Sequence, residues 1–194
     1  MYSIVSSKNV TDYDGDGILN SLGPGPNRIK IFGRLCRSIL EKTDERLEKE
    51  IIERGSSLPI GESFVTESYG LDCKYIVHVI TPFKEDDDEQ LSKLVGAYLK
   101  AFQTAYDEGV RSILVPTIGA GANGYQTFES LKAAKESGYA FSKEHPNMDI
   151  FIDVYDVEHY VYETTMDISE DSSSHKKLSE DELALIRNQI IEEN

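Results

Sequence analysis

The chain has 194 residues, of which 39% are hydrophobic and 28% charged, enough apolar material for one ordinary domain with a solvated surface and a short appendage. Twenty basic against 35 acidic side chains leave a net charge of -15, which disfavours nucleic acid as a general partner. No apolar run reaches the ~18 residues of a membrane span, the N-terminus lacks the pattern of a secretory leader, and two cysteines are too few for a disulfide framework or zinc cluster.

Taken in chain order, Tyr2 to Ser7 is a short β-type run. Asn9 to Gly25 is rich in Gly, Asp and Asn and reads as loop, closed by the break Gly23-Pro24-Gly25-Pro26. Apolar residues at three- and four-residue steps (Ile31, Leu35, Ile39, Leu47, Ile51) predict one helix from about residue 27 to Arg54, with Gly55 as its C-cap. Phe64 to Thr66 and Lys74 to Thr81 read as strands, the second apolar on both faces as a buried parallel strand requires. Gln90 to Gly109 is an amphipathic helix behind the acidic turn at residues 86–89. Ser112 to Pro116 is a buried strand, Gly119 to Tyr125 a glycine-rich loop, Thr127 to Glu144 a helix and Ile150 to Val157 a last strand before a short helix, Glu158 to Thr165. This alternation predicts an α/β fold, with a mostly parallel sheet covered on both faces and ligands at the strands' C-terminal ends. Residues 167–178 are linker by composition. Ser179 to Glu182 is a capping box that opens a final helix over residues 179–194. Its stripe Leu183, Ile186, Ile190 either docks on its own domain or serves self-association or a partner.

Two loops can carry chemistry. Asn9 to Gly17 holds Gly15 and Gly17, which allow close backbone approach, and Asp14 and Asp16. The acidic spelling also suits calcium, but the fixed frame of an EF-hand is missing. Gly119, Gly121 and Gly124 give G-x-G-x-x-G without the lysine of a P-loop or the acidic partner of a dinucleotide fold. Such a loop can wrap backbone amides around a phosphate, and Tyr125 can add a flat face. Side by side, the two loops would make a cleft for a diphosphate. His78, mid-strand between apolar neighbours, reads as a sheet residue. Cys36 and Cys73 read as packing. No metal or cofactor is expected, and the free thiols suit a cytoplasmic setting.

Four segments resemble the macrodomains, the ADP-ribose-binding Appr-1''-p-processing family, across residues 1–166. Ile4 to Asn9 resembles the strand ending in IVNAAN, and Asp14 to Ile18 the glycine run that follows it. Leu58 to Thr66 with Lys74 to Pro82 resembles CPTGEAVIT…KYVIHTVGP. Pro116 to Tyr125 resembles the diphosphate loop PAISTGVYGY. The resemblance implies a three-layer α/β/α fold that binds ADP-ribose or an ADP-ribosylated protein. It implies that Asn9 lies near the distal ribose. It places Gly15, Gly17 and Ile18 on the phosphate side, and Gly119, Ala120, Gly121, Ala122, Asn123, Gly124 and Tyr125 around the diphosphate and ribose. In this register the family's leading strand, with its adenine-binding Asp, is missing, and Leu19 stands where hydrolytic members carry an Asp. Asp16, Asp14 and Asn9 are then the candidates to hold a water for hydrolysis of the ADP-ribosyl bond. The alternatives are a reader of ADP-ribose without turnover and a scaffold that has lost the ligand, with the aspartates as turn residues.

Overall fold

The computed structural model describes residues 1–7, 9–25 and 29–154. The final helix, the linker, the boundaries at 166 and 179 and the short helix at 158–165 all lie outside the described residues. The sheet is built from β1 (Tyr2–Val5), β2 (Gly17–Leu22), β3 (Ser63–Glu67), β4 (Tyr75–Ile80), β5 (Ser112–Val115) and β6 (Asp149–Asp153). The helices are α1 (Arg34–Lys42), α2 (Glu45–Gly55), α3 (Gln90–Asp107) and α4 (Thr127–Glu144), with a single 3-10 turn at Val10–Asp12. The strand order is β1-β6-β5-β2-β4-β3. Every neighbouring pair is parallel except β3 with β4 at the edge. The sheet is therefore mixed and mostly parallel, as expected.

Each face of the sheet is covered, which accounts for strands that are apolar on both sides. Val77, Val79, Ile113, Val115, Ile150 and Ile152 pack beneath α3 and α4, where Tyr98, Phe102, Leu131 and Phe141 meet them. Ile18, Leu22, Ile76 and Ile80 pack on the other face against Cys36 and Ile39 of α1 and Leu47 and Ile51 of α2. The fold is the α/β class with three layers.

Two expectations are corrected. The helix expected from residue 27 to Arg54 is two helices. The chain breaks at Thr43, and Asp44 caps α2 by accepting a bond from the Arg46 amide at 2.9 Å. Gly55 is the last residue of α2 and its role is close packing, because a Cβ there would stand 2.7 Å from Ile29 Cδ1. The larger correction is β2, which lies inside the stretch read as loop and in the middle of the sheet. Its polar residues hid it. Asn20 pairs in register with His78 and its Nδ2 donates to His78 Nδ1 at 3.1 Å, while Ser21 Oγ shares a bond with Thr81 Oγ1 at 2.8 Å. Asn20 Nδ2 and Ser21 Oγ find partners on β4 and on the residue after it, while Asn20 Oδ1 is buried with no partner among the described residues.

Candidate functional site: a cleft at the C-terminal edge of the sheet

Because β1, β2, β4, β5 and β6 run parallel, their C-terminal ends share one edge. A cavity of about 380 Å³ opens there, between the segments that leave β1, β2 and β5. One wall is Thr117 to Asn123, the loop after β5. The facing wall is Phe32, Gly33 and the first turn of α1, Arg34 to Cys36. Asn9, Val10 and Thr11, which follow β1, close one side.

Both long walls are largely backbone, a helix start on one side and a glycine loop on the other. Helix α1 starts at Gly33, whose φ of 95° only glycine adopts without strain, and no side chain caps its first amides. Its first turn carries no acidic side chain, so the positive end of the helix faces the cavity without a carboxylate of its own. Across from it, Gly119 and Gly121 hold φ of 80° and 87°, which lets the loop turn tightly on itself, with the Gly121 N–H donating to the Tyr125 carbonyl at 3.3 Å. Asn123 and its neighbours brace this loop. Asn123 Nδ2 donates to the carbonyls of Thr81 (2.8 Å) and Pro82 (3.2 Å), and the Lys84 amide donates to the Asn123 carbonyl at 2.8 Å. Lys84 Nζ also pairs with Glu129, which accepts from the Gln126 amide at the start of α4.

Among the described residues that line the cleft there is no Asp, Glu, His or Lys. Its ionisable side chains are Arg34 and Cys36. Burial pushes the Cys36 thiol up, so it stands as a neutral thiol that accepts a weak bond from Asn20. No group of three or more His, Cys, Asp or Glu is placed to hold a metal among the described residues, and no helix among them is long and apolar enough to cross a membrane.

The sequence-derived candidates divide. Asn9, Gly119, Ala120, Gly121, Ala122 and Asn123 line the cleft. Gly15, Asp16, Gly17 and Ile18 do not, because the chain runs back across the sheet after residue 12 and they lie at its opposite, N-terminal edge. There Asp16 clamps three strand starts. Its Oδ1 pairs with Lys74 Nζ at 2.6 Å, and its Oδ2 accepts from the amides of Arg111 (3.0 Å) and Ser112 (3.2 Å). The Lys74 ammonium holds this carboxyl below its usual range. Asp14 is exposed and lines a shallow groove with Ser6, Ser7 and Tyr13 that adjoins the cleft at Asn9, which lines both. Gly15 lies beneath the outer end of the Tyr13 ring. Gly17 and Ile18 are core of β2. Tyr125 lies under the loop at 2% exposure, donating to the Gln90 carbonyl, and offers no open face. Gly124 lies outside the cleft lining and is exposed behind the loop.

The pairing of two glycine loops thus gives way to one glycine loop facing a helix start. Phe32 to Cys36, Thr11 and Ser21 line the cleft without having been marked. A signal for them was available: Ile18 to Leu40 contains no acidic residue in a chain of net charge -15. Ile18-Leu19-Asn20 also fits Ile-Val-Asn better than Ile4-Val5-Ser6 does. In that register β1 precedes the motif, and Asn9 follows β1, just before the 3-10 turn.

The comparisons with known proteins agree with this architecture. The Macro domain family model matches residues 28–134, and the chain belongs to that family. It is 27% identical over 135 residues to an uncharacterised protein of Fusobacterium nucleatum, covering 69% of this chain and 77% of the relative. It is 30% identical over 121 residues to a macro domain-containing protein of Listeria monocytogenes, covering 60% of this chain and 67% of that protein. Among solved structures, the Oceanobacillus iheyensis macrodomain with ADP aligns with a TM-score of 0.69 at 22% identity, over 85% of this chain and 89% of that one. The Trypanosoma brucei macrodomain in complex with ADP-ribose aligns with a TM-score of 0.68 at 23% identity, over 85% and 68%.

Proposed function

We propose that the cleft binds ADP-ribose, free or attached to a protein, and reads it without hydrolysing it through a side-chain base. The observation that carries this reading is the pairing of the Gly119–Ala122 loop with the open start of α1 across one cavity that holds neither carboxylate nor imidazole among its described lining residues. A helix start and a glycine loop facing each other suit a pyrophosphate, whose charge is spread over several oxygens. General acid–base work on the ribosyl bond needs a titratable group within hydrogen-bond reach of the reacting atoms. Asp16 is committed at the far edge of the sheet, so it is not that group. Family membership and the ADP and ADP-ribose bound to the two aligned macrodomains support the ligand class. In the shifted register Asn9 and Thr11 follow the leading strand β1, at the 3-10 turn, on the side where the family resemblance puts adenine recognition. The two free, buried thiols suit a reducing, cytoplasmic setting.

Calorimetric titration with ADP-ribose tests the reading. Saturable binding is expected, with at least a tenfold loss in Ala120→Glu, which sets a carboxylate against the pyrophosphate at a half-buried wall position. An ADP-ribosylated protein incubated with the chain is expected to keep its label. No heat of binding at millimolar ligand would leave the scaffold reading instead, and release of ADP-ribose would show that the cleft has a catalytic group of its own.

A further inference from the structure

The glycine loop has a foundation that neither the family nor the cleft lining identifies. Ile118 is its second residue after Pro116 and is buried at 1% exposure. A buried peptide group needs partners for both N–H and C=O, and Ile118 finds both in side chains. Its N–H donates to Tyr98 Oη at 2.8 Å, and its carbonyl accepts from Ser130 Oγ at 2.7 Å. Tyr98 Oη and Ser130 Oγ are themselves 2.8 Å apart. The single Ser130 proton is given to Ile118, so between the two hydroxyls Tyr98 is the donor, and the Pro116 carbonyl lies within reach of the same Tyr98 proton at 3.3 Å. The three bonds close a ring that runs in one direction: Ile118 N–H to Tyr98, Tyr98 O–H to Ser130, Ser130 O–H back to Ile118.

We infer that Tyr98 and Ser130 are positioning residues, which lock the Ile118 peptide inward from α3 and α4 so that the following turns at Gly119 and Gly121 face the cleft in ligand-ready form. The consequence for affinity rests on the proposed ADP-ribose reading; the hold on the loop does not. Both side chains are fully buried, and neither lines the cleft. Their effect is therefore transmitted through the backbone they hold, the Pro116 carbonyl and both polar groups of Ile118. A closed ring also behaves as a unit, since removing any member leaves the others with an unmet donor or acceptor.

Hydrogen exchange and calorimetry on Tyr98→Phe, Ser130→Ala and the double variant test this. In Tyr98→Phe the Ile118 amide is expected to exchange at least tenfold faster, while the amides of Ile113 to Val115 keep their protection, a split that general loosening of the fold would not produce. ADP-ribose affinity is expected to fall about tenfold, with affinity for adenosine, which has no pyrophosphate, unchanged. The double variant is expected to lose no more than the worse single one. Unchanged Ile118 exchange, equal losses for both ligands, or additive losses would each overturn the inference. Should the wild-type chain bind no ADP-ribose, the ligand reading falls, and the exchange result alone still decides whether Tyr98 holds the loop.

Discussion

Asp16 shows how far a side chain's role depends on which end of the sheet it occupies. Its spelling, between two glycines in an acidic loop, is that of a reactive carboxylate. Its position makes it a clasp across the starts of β2, β4 and β5. Asp16→Ala leaves two backbone amides without their acceptor and is expected to cost about 1–3 kcal/mol, read as a lower urea midpoint, with ADP-ribose affinity within twofold of wild type. Lost affinity at unchanged stability would return Asp16 to the site. A local motif cannot distinguish the two, because the chain reverses across the sheet between residues 12 and 17 and only pairing partners reveal that. Asn123 is the opposite case. Its place in the glycine loop was legible, and its two bonds to the Thr81 and Pro82 carbonyls explain why an amide side chain stands there.

The seam between β2 and β4 carries a buried polar chain that ties two strands and an edge together. Thr66 of β3 donates to the Glu67 carbonyl and accepts from His78 Nε2 at 3.0 Å. Nδ1 is thereby free to accept from Asn20, and the neutral ring stacks on Phe64 at 4.8 Å. Burial pushes His78 down from 6.5 to about 3. Between those values the unfolded chain takes up a proton that the folded chain refuses, so stability is complete above pH 6.5 and declines as pH falls. The slope from this one group is about 1.4 kcal/mol per pH unit. Denaturation midpoints at pH 7.5 and 5 are expected to differ more in the wild type than in His78→Gln; equal differences would remove His78 from the account. The same seam explains what the sequence concealed. Strands β4 and β5 and helices α3 and α4 were legible from hydrophobic period alone. Strand β2 was not, because Asn20 and Ser21 look like loop residues until His78 and Thr81 are set beside them. The α1–α2 break was equally hidden, since the apolar spacing continues through it and only the Asp44 cap marks the start of a new helix.

For the molecule as a whole, fold class follows from alternation, while the cleft depends on segments far apart in the chain: residues 9–11, Ser21, 32–38, 116–123 and Thr127. Their meeting is a property of strand order. That order bears on the stretch of this chain that the family model matches. The matched region, 28–134, excludes β1, β2 and β6. Since β5 sits between β6 and β2, a fragment cut at those limits would strand it with neither neighbour and bare one side of β4. Unpaired ladder groups of that kind recruit other chains. Residues 28–134 expressed alone are expected to aggregate and to show no cooperative thermal transition; a soluble fragment that melts sharply would mean the sheet tolerates losing its middle. A recognisable stretch of sequence and an autonomously folding body thus have different borders in this protein, and cutting it at the former would sever the latter.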